Sequence, residues 1–182
     1  MKVLGKDEVA EYITFLKQYY PITDLKLCIA EVNEKEWRIL YTNIRKGCVI
    51  IENMLNGNLI ESEVTEKFES HGTHETGYED GVGYFIPTNN LLTVINLWKD
   101  NEASRSFRKS IDGTEFFVML RTQVLKDSVQ YLDALFHEIL HTIEIKTQTR
   151  IFRGSTMQQE IKDTEEIVLP YVREFIRKRK HC

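Results

Sequence analysis

The sequence predicts an α+β domain, and three observations carry that reading. Apolar residues at helical spacing open the chain over residues 7–20 and close it from residue 128 onward. Between them lie short runs rich in β-branched and aromatic residues, the composition of strands. The first closing helix carries His137-Glu138-Ile139-Leu140-His141, a pattern with a chemistry of its own. At 182 residues one domain is expected, spanning 1–182. Residues 1–114 form an N-terminal helix and sheet portion, and residues 115–182 a strand, the motif helix and a C-terminal helix.

In chain order, Val9, Tyr12, Ile13 and Leu16 form one face of the opening helix, and Pro21 marks its end. That face carries few cations, so packing on a sheet is expected and a membrane-surface role is not. Residues 25–32 read as a strand. Residues 36–42 read as a second, joined to it by Asn33-Glu34-Lys35 as a hairpin connection, and residues 48–51 as a third. Residues 61–69 suit a short helix or an exposed strand. Residues 70–84 carry four glycines and His71 and His74, and read as a polar surface loop. Its functional alternative is a loop bordering a cleft, where His74 or a tyrosine supports an oxyanion. Residues 91–98 suggest a strand, and residues 99–113 a polar stretch ending in the Asp112-Gly113 turn signal. Residues 115–121 are another strong strand. The sheet is expected to be mixed or antiparallel.

The motif helix begins near residue 128, with Asp127 or Ser128 as its N-cap. Leu132, Leu135, Phe136, Ile139 and Ile143 form its core stripe. Positions four apart on a helix differ by about 40° around the axis and about 6 Å along it. His137 and His141 therefore point the same way and can grip one metal ion. Glu138 lies about 100° round from His137, where it flanks the ion and can accept a proton from a water that the metal activates. The rival is a chance five-residue match whose histidines are a hydrogen-bonded core pair. It arises on the order of once per hundred such sequences.

Leu135-Phe136-His137-Glu138-Ile139-Leu140-His141-Thr142-Ile143-Glu144 resembles the active-site helix of zincin metallopeptidases. It is closest to small intracellular proteins, often linked to phages or mobile elements, related to the ImmA/IrrE and SprT-like groups. The resemblance covers about residues 115–182, and its specific part is the five-residue motif. It implies a zincin-like fold, a Zn2+ cofactor and hydrolysis of a peptide bond in a protein or peptide substrate. It also implies a strand near residues 115–121 that edges the cleft, where extended substrates add as a further strand. Further metal ligands are implied on a second helix after the motif.

Two histidines leave a catalytic zinc short of the three protein ligands usual for such sites. The second helix is expected over residues 156–178, kinked or divided at Pro170. Its apolar stripe is Ile161, Val168, Val172 and Phe175, with Glu165 filling the gap. A carboxylate on a core-facing stripe is costly unless paired or coordinated, which makes Glu165 the first choice as third ligand and Glu160 the second. Asp163 and Glu166 are expected to face solvent. Glu144 shares the face of the histidines but sits too far along the helix to ligate the same ion, so a supporting or exposed role is expected. Glu144 and Thr147 also stand where metzincins place glycine and a third histidine.

Composition narrows the classes. The apolar share is 42% and the charged share 29%, ordinary for a globular protein. A net charge of −4 argues against a general nucleic-acid binder. The basic run Arg177-Lys178-Arg179-Lys180 most simply complements the negative end of the last helix. No apolar run is long enough to span a bilayer, and residues 1–7 lack a signal peptide's apolar centre, so a cytoplasmic location is expected. Cys28, Cys48 and Cys182 suggest neither a disulfide framework nor a cysteine zinc site. The sequence-level reading is a zinc metallopeptidase with His137, His141 and Glu165 on the metal and Glu138 as base. The alternative is a catalytically silent zincin-like scaffold that binds a protein partner.

Overall fold

A computed structural model of the protein describes residues 1–57, 81–97, 101–153 and 157–180. Its centre is a four-stranded mixed sheet. Strand β2 (Leu27–Val32) pairs in parallel with β4 (Phe116–Arg121), in a register that sets Leu27 opposite Phe116. Strand β1 (Lys2–Val3) lies antiparallel on the outer side of β2, and β3 (Gly83–Pro87) antiparallel on the outer side of β4. The order is β1-β2-β4-β3. Strand β4 was expected to edge the cleft; it is central instead, and among the described residues β3 takes the edge position. The sequence of β4 is consistent with this, because Phe116 to Leu120 are all buried, as a strand covered on both faces requires.

Side chains alternate across each strand, so one sheet serves two cores. Leu27, Ile29, Phe116, Val118 and Leu120 face a core shared with α1 (Lys6–Leu16), α5 (Ser128–Thr147) and α7 (Leu169–Arg179). Cys28, Ala30, Val32, Phe117 and Met119 face the opposite core, shared with α2 (Glu34–Leu55), α3 (Thr88–Ile95) and α4 (Glu102–Ile111). The architecture is α+β, as expected, with helices on both faces.

Several expected strands are helices, for identifiable reasons. Residues 36–42 and 48–51 both lie in α2. Asn33 is no hairpin residue: its Oδ1 accepts from the Glu36 amide at 2.9 Å, and its own amide donates to Glu36 Oε2 at 2.9 Å. This reciprocal cap starts a helix. Tyr41 then stacks on Trp37 one turn away, and Trp37, Ile44 and Ile50 are buried. Residues 91–98 were expected to be a strand, yet Leu91, Val94 and Ile95 are buried at i, i+3, i+4 spacing on α3. The polar stretch after it holds α4, closed by Gly113 at φ 72°. Residues 61–69 and the His71/His74 loop, apart from residues 81–84, lie outside the described residues.

The last helical region is divided. Helix α6 (Met157–Asp163) leads into a π-helical turn (Thr164–Val168) and then α7. Pro170 sits in the first turn of α7, where a missing amide donor is tolerated, and the π turn is what breaks the helical phase. Among the described residues, no helix is long and apolar enough to cross a membrane.

Candidate metal centre

Helix α5 is fixed at both ends. Asp127 Oδ1 accepts the Val129 and Gln130 amides, each at 2.9 Å, and Gln148 ends the helix in the left-handed conformation at φ 53°. Leu132, Leu135, Phe136, Ile139, Leu140 and Ile143 are buried in the core. His137 and His141 stand on the adjacent stripe, half-buried, with their Nε2 atoms 3.1 Å apart. Two imidazole nitrogens on one tetrahedral zinc ion lie about 3.3 Å apart, given Zn–N bonds of about 2.05 Å. The pair therefore fits a shared ion with little movement.

The other ring nitrogens have partners of their own. His141 Nδ1 lies 3.6 Å from Glu144 Oε2, and His137 Nδ1 lies 3.4 Å from Thr164 Oγ1. A carboxylate only accepts, so Glu144 favours the His141 tautomer with its proton on Nδ1 and its Nε2 lone pair free for the site. Of the two roles expected for Glu144, the structure shows a half-buried carboxylate beside His141 and not an exposed acid. Its Oε1 accepts the Ile151 and Phe152 amides at 2.7 and 3.1 Å, which folds the following loop back over the histidines. The Phe152 ring lies 4.8 Å from His137 and 4.2 Å from His141, centre to centre. From the sheet side, Phe85 of β3 stacks on His141 at 5.1 Å and 14°. Burial, with a smaller contribution from His141, pushes the His137 imidazole down to about 4, against the opposing pull of Asp163. A neutral imidazole is the form that binds metal.

Glu138 is buried on the side of α5 that meets β3. Its carboxyl group rests against the backbone of Gly83, the first residue of that strand. Glu138 and His141 are thus presented to the same strand, at positions two residues apart along it.

The C-terminal residues are placed differently from expectation. Glu165 is exposed, and so is Ile161 at 54%, so neither lies on a core-facing stripe. Asp163, expected to face solvent, is fully buried. It accepts the Arg153 amide at 2.7 Å and the Gln159 side chain at 2.7 Å, and pairs with the Arg153 guanidinium. Although burial opposes ionisation, these bonds together hold its carboxyl below the usual range. The π turn explains the exchange. Val172 and Phe175 extrapolate back through Val168 to residues 165 and 161 on an unbroken helix. One extra residue in the turn brings Asp163 inward instead, five residues before Val168. Glu166 is exposed, as expected, and pairs with Arg153. Among the described residues, no third His, Cys, Asp or Glu completes a metal-binding cluster with the histidines. The Glu160 side chain lies outside the described residues.

Sequence reasoning missed Gly83, Phe85, Phe152 and Thr164. The last was the most accessible, since a hydroxyl at the helix turn facing the motif is what orients an imidazole. Comparison with protein-family models, with curated proteins and with solved structures finds no match to this chain.

Proposed function

We propose that the protein is a zinc-dependent metallopeptidase. The observation that supports this most is the convergence of two Nε2 atoms to 3.1 Å while both Nδ1 atoms face oxygen partners. His137 and His141 hold the ion. With Glu165 exposed, Glu160, the second choice from the sequence, is the third ligand of this proposal. Imidazole and carboxylate donors suit zinc among the divalent ions.

Zinc in such a site supplies Lewis acidity, acidifying water and polarising a carbonyl. Glu138 accepts the proton released as water oxygen attacks the carbonyl carbon, and delivers it to the amide nitrogen as the C–N bond breaks. Glu144 and Thr164 keep the imidazoles oriented. Phe85 and Phe152 exclude water from the rings, which strengthens the electrostatics between them. Strand β3, last in the sheet and beside both Glu138 and His141, is where an extended peptide substrate would add as a further strand. A cytoplasmic protein or peptide is the proposed substrate.

Metal content of the purified protein tests the reading, alongside His137→Ala, Glu160→Ala and Glu165→Ala prepared identically. About one zinc per chain is expected, lost in the first two variants and kept in the third. Loss in Glu165→Ala alone would restore Glu165 as third ligand. A folded protein that takes up no zinc on reconstitution would sink the proposal and leave a hydrogen-bonded histidine pair. Zinc without cleavage, in a peptide library where wild type and Glu138→Gln behave alike, would favour the silent binding scaffold.

A further inference from the structure

Position 83 is glycine for a reason of space. A Cβ built there would lie 2.6 Å from Glu138 Cγ, 2.6 Å from its Oε1 and 2.9 Å from its Cδ. Its backbone is not in the positive-φ region, unlike Gly57 and Gly113, so any residue could adopt its conformation. Within a strand, glycine costs stability relative to alanine. The residue therefore carries an energetic cost that the backbone does not demand, and the group occupying the vacated volume is the Glu138 side chain.

The strand at this point is itself well fixed. Gly83 pairs with Leu120 of β4. Just before it, the Val82 carbonyl accepts the Arg121 amide at 2.9 Å, and a Cβ built on Gly81 would lie 3.3 Å from the Trp37 ring. Two residues on, Phe85 stacks on His141. One strand face thus abuts both the carboxyl group and an imidazole. A rigid strand with a gap at one position defines where a flexible glutamate rests, much as supporting contacts define any catalytic geometry.

We infer that Gly83 is a positioning residue for Glu138, seating its carboxyl group against the edge strand. The inference rests on Glu138 being the base of the proposed hydrolase. Any side chain at position 83 displaces the carboxyl group while leaving the histidines in place.

Cobalt(II), a spectroscopic substitute for zinc, provides the test, using wild type, Gly83→Ala, Glu138→Gln and the double variant. Each should bind about one cobalt. At one fixed pH, Gly83→Ala should shift the cobalt absorption bands in the same direction as Glu138→Gln and should add nothing in the double variant. A Gly83→Ala spectrum identical to wild type would overturn the inference, as would loss of cobalt in that variant, which would mark Gly83 as a structural support for the ligands. Denaturation of apo-protein gives an independent arm. Gly83→Ala should be better tolerated with Glu138→Ala than alone, and equal effects in both backgrounds would refute the contact. If wild type binds no cobalt, the peptidase proposal fails, and this second arm still decides whether Gly83 and Glu138 are coupled.

Discussion

On the α5 face of the sheet the chain buries two carboxylates, Glu138 and Asp163, beside one hydroxyl, Thr142; on the α2 face the buried polar side chains among the described residues are both hydroxyls, Thr88 and Ser104. The hydroxyls are satisfied locally, Thr88 by Thr114 at 3.1 Å and Ser104 within the cap that starts α4. A buried carboxylate is far more costly than a buried hydroxyl and persists only where bonds or chemistry offset the cost. Asp163 is offset by Arg153 and Gln159, and it ties down the loop bearing Phe152. Glu138 lies against Gly83, beside the histidine pair. One face therefore buries only hydroxyls among its described polar groups, whereas the other buries carboxylates and carries the histidine pair. The strands between them differ only in which of two alternating side-chain sets each face receives.

The strongest way to sharpen this contrast is to damage both cores equally. Trp37 and Phe136 are each fully buried, Trp37 on the α2 face and Phe136 on the α5 face beside His137. Truncation of either to alanine should cost about 3–5 kcal/mol in denaturant unfolding. Phe136 packs against Phe15 and Phe175, so its loss also loosens the helix that carries the histidines. Zinc affinity should fall about tenfold in Phe136→Ala and stay unchanged in Trp37→Ala at temperatures where both are folded. Equal effects on zinc would show that the two faces are not functionally separate.

A smaller effect is expected at Asp133, one turn before His137. Its Oδ1 is buried without a hydrogen-bond partner, and burial pushes its carboxyl up to about 6 from 3.8. The native state then binds the proton more tightly than the unfolded chain. Stability from this group is greatest below about pH 4, falls as pH rises to about 6 and is flat above. Asp133→Asn should therefore raise stability by about 1–2 kcal/mol at pH 8, less than the full shift implies because the amide also lacks partners. At pH 4 it should gain nothing. A gain of equal size at both pH values would place the effect elsewhere.

What was readable in the sequence follows the same division. The α5 face was legible: α1, β2, β4 and the motif helix stand where periodicity put them, because each is long or strongly patterned. On the α2 face, residues 36–42 and 91–98 were misread as strands. There β-branched residues are used on helices whose stability comes from caps and burial, a tertiary effect that outweighs propensity. The Asn33/Glu36 cap was the signal available and unused. The placement of His137 and His141 on one stripe of the helix, with Glu138 to one side, was readable from spacing alone. Glu165 was misplaced because nothing in Thr164-Glu165-Glu166-Ile167-Val168 announces a π turn, and a single extra residue exchanges inside for outside. The fit of Glu138 against Gly83 was unreadable, since it joins positions 55 apart, the difference between 138 and 83.

The smallest effect returns to the α2 face. Helix α4 begins with Asn101, whose Oδ1 accepts the Ser104 amide at 2.9 Å while its own amide donates to Ser104 Oγ at 3.1 Å. Removing such a cap costs about 1 kcal/mol. Asn101→Ala should lower stability by that amount in denaturant unfolding, since Ser104 loses its reciprocal partner and two amides at the helix start lose an acceptor or a fixed orientation. Zinc binding should be unchanged, because α4 contacts the site only through the full thickness of the sheet. A measurable fall in zinc affinity would mean that the sheet transmits strain from one face to the other. Glu138, seated against the edge strand at Gly83, would then be the first group to register it.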